Sequence, residues 1–377
     1  ALVGLAVGDA LGTTNEFQPA GSFEPISDMV GGGVFDLEPG QWTDDTSMAL
    51  CLADSLLALN RYDSYDVMER YDRWRKDGYR SSTGTCFDIG NQVMRSLWDF
   101  HENPRIPKGA PRSTSAGNGA IMRLAPVVIA GFEHREIREI VVTAGLSARE
   151  THYSVEAEAA TEVFAALLVG ALLGWAPEHI MNVGWASTGP AFDEMAARVI
   201  SDDPAERASW ESETSGYIVH GLRLAVHGLL DFPSFKDATL ALANLGGDAD
   251  TNCAIYGQLG GAFYGIEAIP ASWRSTLYQC EEIDQLARDL VDLRLEAPRT
   301  RFDEDLREAS VGRQPRLVTP SPLPLTHTLT HTQQLPQNVA RNSPAPLSRF
   351  EIRPLKSRGF KPHSKTDQRE LRATFGV

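Results

Sequence analysis

Two short acidic motifs stand out in the chain, WTDDT at residues 42–46 and GGDADTN at residues 246–252. Each supplies two carboxylates and a threonine hydroxyl where an apolar helical segment begins. Carboxylates held close together repel one another unless a cation lies between them. Oxygen ligands of this kind suit hard divalent ions such as Mg²⁺ or Mn²⁺. If the fold brings the two motifs together, they form a two-metal hydrolytic site.

Each acidic motif also has a purely structural explanation. Thr43 is a good N-cap for a helix that begins near Asp44, where carboxylates interact favourably with the helix dipole. Thr251 can cap a second helix in the same way, and Gly246 and Gly247 let the backbone approach closely. Because coincidental capping would have to occur twice in one chain, we predict that both motifs bind metal.

Two further carboxylates lie near the N-terminus, within residues 4–17 (GLAVGDALGTTNEF). The glycines and alanines of this segment form a stripe that permits close helix packing. We expect Asp9 to be a buried structural hydrogen-bonding partner. Glu16 follows at the end of the helix, where it either reaches a metal or metal-bound water or is simply a solvated glutamate.

A glycine-rich turn and a histidine are candidates for contacts with an anion or a nucleoside. Residues 117–119 (GNG) precede a helical segment, and the N–H groups of such a turn can hold a phosphate, although GNG is also an ordinary tight turn. Arg123 either contacts that phosphate or pairs with a carboxylate. His152 precedes another helix and either meets a ribose or base or has a structural role.

The elements that must position these residues are helices. Apolar residues recur with helical periodicity, whereas strands with strict alternation are absent, and Gly and Pro cluster between the periodic segments. We therefore predict an all-α bundle with long functional loops. The predicted helical segments are residues 49–59, 67–76, 89–100, 155–173, 218–230, 238–244, 254–264 and 283–293.

Composition narrows the class of protein. The 377 residues are 42% hydrophobic, enough for a large core, and a net charge of −15 argues against nucleic-acid binding, which needs a basic face. The four cysteines form no CxxC pair, so we expect a reduced, cytoplasmic protein. The longest apolar stretch, residues 163–176, is too short to span a bilayer.

The chain changes character near residue 298. We predict a catalytic domain over residues 1–297 and a Pro/Thr-rich tail over residues 298–377. From residue 309 onward, basic residues outnumber acidic ones by 11 to 3. Without a continuous apolar face such a tail cannot offset the entropy of ordering, so we expect disorder. It either tethers the protein to an acidic surface or has no function.

In this order the motifs resemble those of the ADP-ribosylglycohydrolase family, which includes dinitrogenase reductase-activating glycohydrolase. The resemblance covers about residues 1 to 290. It rests on residues 8–12 with Glu16, 42–46, 117–120 with Met122 and Arg123, 151–152, and 246–251. Residues 28–35 are also similar to bacterial members, some of which act as immunity proteins that reverse a toxin's ADP-ribosylation.

The resemblance implies a single-domain orthogonal helical bundle with a central cleft that holds two divalent ions, Mg²⁺ or Mn²⁺. The implied metal ligands are Thr43, Asp44, Asp45, Asp248, Asp250 and Thr251. The implied substrate-binding residues are Gly117, Asn118 and Gly119, which would face the diphosphate, His152, which would line the ADP-ribose cleft, and Met122. Asp45 or Glu16 would help to deprotonate the attacking water.

We therefore expect a metal-dependent hydrolase that removes ADP-ribose from modified proteins, with arginine as the modified residue by analogy with the bacterial members. Its partners would be an ADP-ribosylated protein and the product ADP-ribose, with no nucleic acid or membrane, and its oligomeric state is open. One alternative is hydrolysis of ADP-ribosylserine or O-acetyl-ADP-ribose. Another is a non-catalytic, immunity-type protein that binds ADP-ribose or a toxin. The six intact metal ligands favour an enzyme.

Overall fold

The computed structural model describes residues 1–104, 116–132 and 135–295, and within them it confirms the all-α prediction. The predicted tail lies outside these residues. The described part contains no β-strand, only two isolated bridges. The helices are α1 (Leu2–Gly12), α2 (Asp44–Leu59), α3 (Ser64–Asp77), α4 (Asn91–Glu102), α5 (Ala125–Phe132), α6 (Ile137–Ala148), α7 (Val155–Leu172), α8 (Pro177–Met181), α9 (Pro190–Val199), α10 (Pro204–Ser209), α11 (Ile218–Asp231), α12 (Phe235–Ala243), α13 (Ala249–Tyr264), α14 (Ala271–Thr276) and α15 (Cys280–Asp292).

Helices α1 and α13 form the centre of the fold, antiparallel and in direct backbone contact. Every residue of α1 is buried. A Cβ added at Gly4, Gly8 or Gly12 would come within 2.1–2.3 Å of a backbone carbonyl oxygen of α13. Only glycine allows this approach. The stripe of small residues therefore packs as predicted, and it brings Asp9 on α1 close to Asp250 at the start of α13.

The predicted helices are present, but periodicity located their starts poorly. Helices α2 and α13 begin at Asp44 and Ala249, each five residues before the periodic segment, because carboxylates in a first turn add nothing to an apolar pattern. The acidic motif had nevertheless indicated a helix start near Asp44, as the structure shows. Helices α6, α8, α9, α10 and α14 were not among the predicted segments, and α5 was expected only as the helix after the glycine-rich turn, without bounds. Apart from Phe132, α5 is buried on all sides, so its sequence (APVVIAGF) has no polar face to reveal a period. Among the described helices, none combines the length and the apolar character that crossing a bilayer requires.

Loops gather around the end of α1 and the starts of α2 and α13. The hydroxyl of Thr14 donates to the carbonyl of Gly31 (3.0 Å), which ties the loop before α2 to the end of α1. The N–H of Phe17 donates to the carbonyl of Gly247 (2.7 Å), and the N–H of Gly247 donates to the carbonyl of Gln18 (2.9 Å). These bonds hold the segment after α1 beside the segment before α13. The two acidic motifs therefore lie close to each other at the end of α1.

Candidate metal centre

Carboxylates from α1, α2, α13 and two loops converge there. Oxygens of Asp9, Asp45 and Asp250 lie within 4.8 Å of one another, and so do oxygens of Glu16, Asp88 and Asp250. Asp250 belongs to both groups and joins them into one acidic cluster. Four of these side chains are at most 3% exposed, whereas Asp88 is partly exposed. The two sequence motifs are therefore brought together, as a shared site requires.

Several oxygens of the acidic cluster lack any hydrogen-bond partner. Oε2 of Glu16, Oδ1 of Asp45 and Oδ1 of Asp250 are buried without one. Leaving a carboxylate oxygen buried and unpartnered costs free energy, and repulsion between neighbouring carboxylates adds to that cost. A cation between them would relieve both penalties. The donor set is made of oxygen atoms alone, so it fits a hard divalent cation.

The raised pKa values of the cluster's carboxyl groups also favour a bound cation. Burial, together with the negative charges of Asp88 and Asp248, raises the pKa of Glu16 to about 11. Burial and the neighbouring carboxylates raise the pKa of Asp88 to about 7. The pKa values of Asp45 and Asp250 lie well above the usual range for the same two reasons. Each carboxylate therefore ionises with difficulty unless positive charge is supplied.

Asp9 supports the cluster through the start of α2. Its Oδ1 accepts hydrogen bonds from the N–H and hydroxyl of Thr43 (both 2.9 Å). Its Oδ2 accepts from the N–H (3.0 Å) and hydroxyl (2.6 Å) of Thr46. First-turn N–H groups have no partner within their own helix, and Asp9 supplies one from outside. The expected role of Asp9 as a buried hydrogen-bonding partner agrees with these contacts.

The structural alternative for Thr43, an N-cap of α2, is met in position but not in bonding. Thr43 occupies the N-cap position, but its hydroxyl forms no capping hydrogen bond. Since Asp9 already satisfies the N–H groups of that turn, the Thr43 hydroxyl lies between Asp9 Oδ1 (2.9 Å) and Asp250 Oδ2 (3.2 Å). Thr43 thus connects the two acidic motifs instead of capping one of them.

The structural alternative for Thr251, an N-cap of α13, does not match the structure. Asp248 is the N-cap residue, and Thr251 lies in the first turn with its hydroxyl 3.4 Å from Asp45 Oδ2. Gly246 and Gly247 adopt left-handed φ values of +69° and +68°, which turn the chain and start the helix early. A Cβ at Gly247 would lie 2.3 Å from the Thr214 hydroxyl, so the expected close approach of the backbone is present.

The glycine-rich turn is joined directly to the second acidic motif. The amide group of Asn118 donates a hydrogen bond to Asp248 Oδ2 (2.5 Å), and its N–H donates to the carbonyl of Gly216 (3.0 Å). Asn118–Ala120 form a short 3-10 helix, so the turn does not open an α-helix directly as predicted. Met122 follows and is only 3% exposed.

His152 and Arg123 lie behind this turn. His152 is 3% exposed and supports the turn from below, since a Cβ added at Gly119 would lie 2.7 Å from its Cε1 atom. Burial and the positive charge of Arg123 lower the pKa of His152 to about 3, so the imidazole is neutral. Of the two roles left open for Arg123, the structure shows the ion pair. Its guanidinium is buried, and Nη2 lies 3.6 Å from Glu150 Oε2.

Asp88 and Glu150 are the functional candidates that the sequence did not reveal. Asp88 lies in the loop between α3 and α4 with a left-handed φ of +55°. A single carboxylate in a loop has neither spacing nor periodicity, so no sequence signal marks it. Glu150 adjoins the predicted Thr151–His152 pair, and only the fold places it against Arg123.

The Arg123–Glu150 pair gives a stability prediction. Arg123→Met should lower the free energy of unfolding by about 3–5 kcal/mol, because it leaves a buried carboxylate without its countercharge. Adding Glu150→Gln removes that charge and should restore most of the loss. Urea denaturation of both single variants and the double variant measures the coupling. Purely additive losses would show that the two side chains do not act as a pair.

Comparison with known proteins shows which family and which relatives the chain is similar to in sequence. The model of the ADP-ribosylglycohydrolase family matches residues 1–299. The chain is 38% identical over 293 residues to "ADP-ribosylarginine hydrolase Tri1" of Serratia proteamaculans, covering 77% of each chain. It is 34% identical over 283 residues to "ADP-ribosyl-[dinitrogen reductase] glycohydrolase" of Rhodospirillum rubrum, covering 74% of this chain and 88% of that one.

A solved structure agrees in fold as well as in sequence. The chain titled "ADP-ribosylglycohydrolase-related protein complex" superposes with a TM-score of 0.67 at 38% identity. The match covers 78% of this chain and 96% of that chain. The likeness therefore extends over the helical part of the protein that contains the acidic cluster.

Proposed function

Because the chain belongs to the ADP-ribosylglycohydrolase family, we propose that it hydrolyses the bond between ADP-ribose and an arginine side chain of a modified protein. Members of this family are enzymes that release ADP-ribose. Two relatives named as ADP-ribosylarginine hydrolases, at 38% and 36% identity, support arginine as the residue that carries the group. The single observation that supports the site is the buried acidic cluster with its unpartnered oxygens.

The acidic cluster is proposed to hold two divalent ions, Mg²⁺ or Mn²⁺. Bound there, such ions would supply Lewis acidity at the ribose and favour the formation of hydroxide from water. The unpartnered oxygens of Asp45 and Asp250 support this proposal, because a buried carboxylate oxygen calls for a positive partner. The proposed ligands are Asp45 and Asp250 from the cluster, together with Thr43, Asp44, Asp248 and Thr251 from the two acidic motifs.

Asp45 or Glu16 is proposed as the general base. In the reaction the bond from the ribose anomeric carbon to the guanidine nitrogen breaks, while a water oxygen bonds to that carbon through an oxocarbenium-like state. The carboxylate takes a proton from the water and passes it to the departing guanidine, which leaves as a guanidinium. Glu16 suits this role because its free Oε2 lies in the cluster beside the partly exposed Asp88.

The glycine-rich turn is proposed to hold the diphosphate of ADP-ribose. The N–H of Asn118 is already engaged by Gly216, so an anion would meet the N–H groups of Gly117 and Gly119 instead. Met122 and His152 would support the turn from within. The bond from Asn118 to Asp248 would then set the spacing between the diphosphate and the reacting ribose.

The choice of leaving group can be tested directly. A cleft lined by carboxylates complements a cationic guanidinium better than a neutral serine oxygen. We therefore expect arginine-linked ADP-ribose to be hydrolysed at least tenfold faster than serine-linked ADP-ribose in peptides of otherwise identical sequence. Release of free ADP-ribose, followed chromatographically with Mg²⁺ and with EDTA, is the measurement. Faster release from serine would refute the arginine assignment, and binding without release from either peptide would indicate a non-catalytic protein.

A further inference from the structure

A chain of buried polar groups runs behind the glycine-rich turn. Nη1 of Arg123 donates to the carbonyl of Gly119 (2.5 Å), and Nη2 donates to the hydroxyl of Thr151 (2.8 Å). The same hydroxyl lies 2.8 Å from Nδ1 of His152. The His152 ring then lies against the turn, with Nε2 3.0 Å from where a Cβ at Gly117 would be. Thr151 and His152 therefore connect the buried Arg123 guanidinium to the proposed diphosphate site.

The guanidinium end of this chain is held firmly. The Tyr71 ring lies 4.9 Å from the Arg123 guanidinium carbon, within range of a cation–π contact. Glu150 is the countercharge, and it accepts a short hydrogen bond from the Tyr62 hydroxyl. Since an arginine side chain donates but never accepts, its two bonds toward Gly119 and Thr151 have a fixed direction.

The backbone of Thr151 is held as well. Its carbonyl accepts hydrogen bonds from the Gln92 amide (3.2 Å) and from the Ser96 hydroxyl (3.1 Å), both on α4. The side chain therefore stays between Arg123 and His152. The Thr151 hydroxyl accepts from Arg123, so its own proton remains to be donated. Within the part of the chain that the structure describes, His152 Nδ1 is the acceptor in reach of it.

A neutral imidazole that accepts at Nδ1 carries its proton on Nε2. We propose that Arg123 and Thr151 are positioning residues that fix this tautomer of His152, so that Nε2–H donates a hydrogen bond to an anionic group at the glycine-rich turn. In the proposed function Gly117 and Gly119 hold the diphosphate, so this anionic group is a phosphoryl oxygen of the substrate. In this respect the inference rests on the proposed function. The carbonyl of Gly119, held inward by Arg123, keeps a second acceptor away from the anion.

The tautomer can be measured without any substrate. The full chain labelled with ¹⁵N-histidine gives separate long-range ¹H–¹⁵N correlations for the two tautomers of a neutral imidazole, and a His152→Gln sample assigns the signal. At neutral pH we expect a protonated Nε2 and an unprotonated Nδ1. A proton on Nδ1 in the wild-type chain would overturn the proposal whether or not the chain hydrolyses ADP-ribosylarginine.

Thr151→Val and Thr151→Ser form a matched pair. Valine keeps the shape but removes the hydroxyl, and serine keeps the hydroxyl. We expect Val to mix the His152 tautomers and to weaken ADP-ribose binding about tenfold, the effect of about 1.4 kcal/mol. Serine should stay within about twofold of wild type, because a hydrogen bond of about 0.5–1.5 kcal/mol is retained.

Steady-state kinetics of the Thr151 variants distinguish a role in substrate binding from a role in the chemical step. A contact to the diphosphate is made equally in the ground and transition states, so its loss should raise KM and leave kcat nearly unchanged. An unaltered tautomer together with an unaltered ADP-ribose Kd in Thr151→Val would refute the proposal. If Thr151→Val fails to fold, the tautomer measured in the wild-type chain still tests the proposal, and Arg123→Lys takes the place of Thr151→Val as the variant. The free-ADP-ribose affinity also separates failure of this inference from failure of the proposed hydrolysis.

Discussion

Asp45→Asn and Asp250→Asn should each abolish hydrolysis of ADP-ribosylarginine while leaving the helical circular-dichroism signal intact. Both side chains lie in the acidic cluster, and each has a buried oxygen without a partner. Asparagine keeps the size and one oxygen but removes the negative charge that a divalent cation requires. Loss of a group that merely orients a ligand typically costs about 10–100-fold in activity, so loss of a ligand should cost more.

The control for these variants is Asp237→Asn. Asp237 also lies in a helix first turn, at the start of α12, but it is exposed and outside the cluster. Elemental analysis of the purified proteins should show less bound divalent metal in the two cluster variants and an unchanged amount in the control. Activity retained in both cluster variants at saturating and at trace Mg²⁺ would exclude a metal mechanism at this site.

Removing divalent metal should destabilise the chain, and the loss should grow with pH. In the metal-free protein the pKa of Glu16 is raised to about 11 and that of Asp88 to about 7, above the values of these groups in an unfolded chain. Between roughly pH 5 and 8 the folded state therefore binds more protons than the unfolded state, so its stability falls as the pH rises. A group whose pKa lies below the pH in the unfolded chain and above it in the folded chain changes the free energy of unfolding by about 1.4 kcal/mol per pH unit. Glu16 meets this condition over the whole range, and Asp88 meets it up to about pH 7.

Bound metal should reverse this trend, since it favours the ionised carboxylates and competes with protons for them. Added at about a hundred times its Kd, Mg²⁺ or Mn²⁺ should stabilise the fold by about 2.7 kcal/mol. Thermal unfolding with EDTA and with metal, at pH 6 and pH 8, measures both effects. We expect the larger metal-induced rise in Tm at pH 8. A rise that is equal at both pH values, or absent, would contradict binding at these carboxylates.

For the same electrostatic reason, the cluster variants should lose activity without losing stability in the metal-free state. In the absence of metal, Asp45→Asn and Asp250→Asn replace a buried carboxyl group that ionises only at a cost in free energy with a neutral amide, so their Tm in EDTA should equal or exceed that of the wild-type chain. Sites that hold like charges together for function commonly lower stability in this way. A lower Tm in EDTA would indicate that these carboxylates make stabilising contacts of their own.

Much of the site was predictable from local sequence because its residues act through their position in a helix. An acidic pair followed by an apolar run indicates the start of a helix, and this pattern located both acidic motifs near the starts of α2 and α13. The small residues of α1 likewise indicated close packing, because only a side chain without bulk permits backbone contact. The all-α class followed from periodicity alone, which depends on residues three and four apart.

Long-range contacts decided the rest. The sequence allowed Thr43 and Thr251 to cap helices, but Asp9 takes the N–H groups of one turn and the glycine turn starts the other helix early, so both hydroxyls face the cluster. Asp88 joins the cluster from a loop that carries no periodic signal. Arg123 was equally compatible with a phosphate or an ion pair until the fold buried it against Glu150. Helix starts are local properties of a chain, whereas the partner of a buried charge depends on which distant segments pack together, and only the tertiary structure determines that.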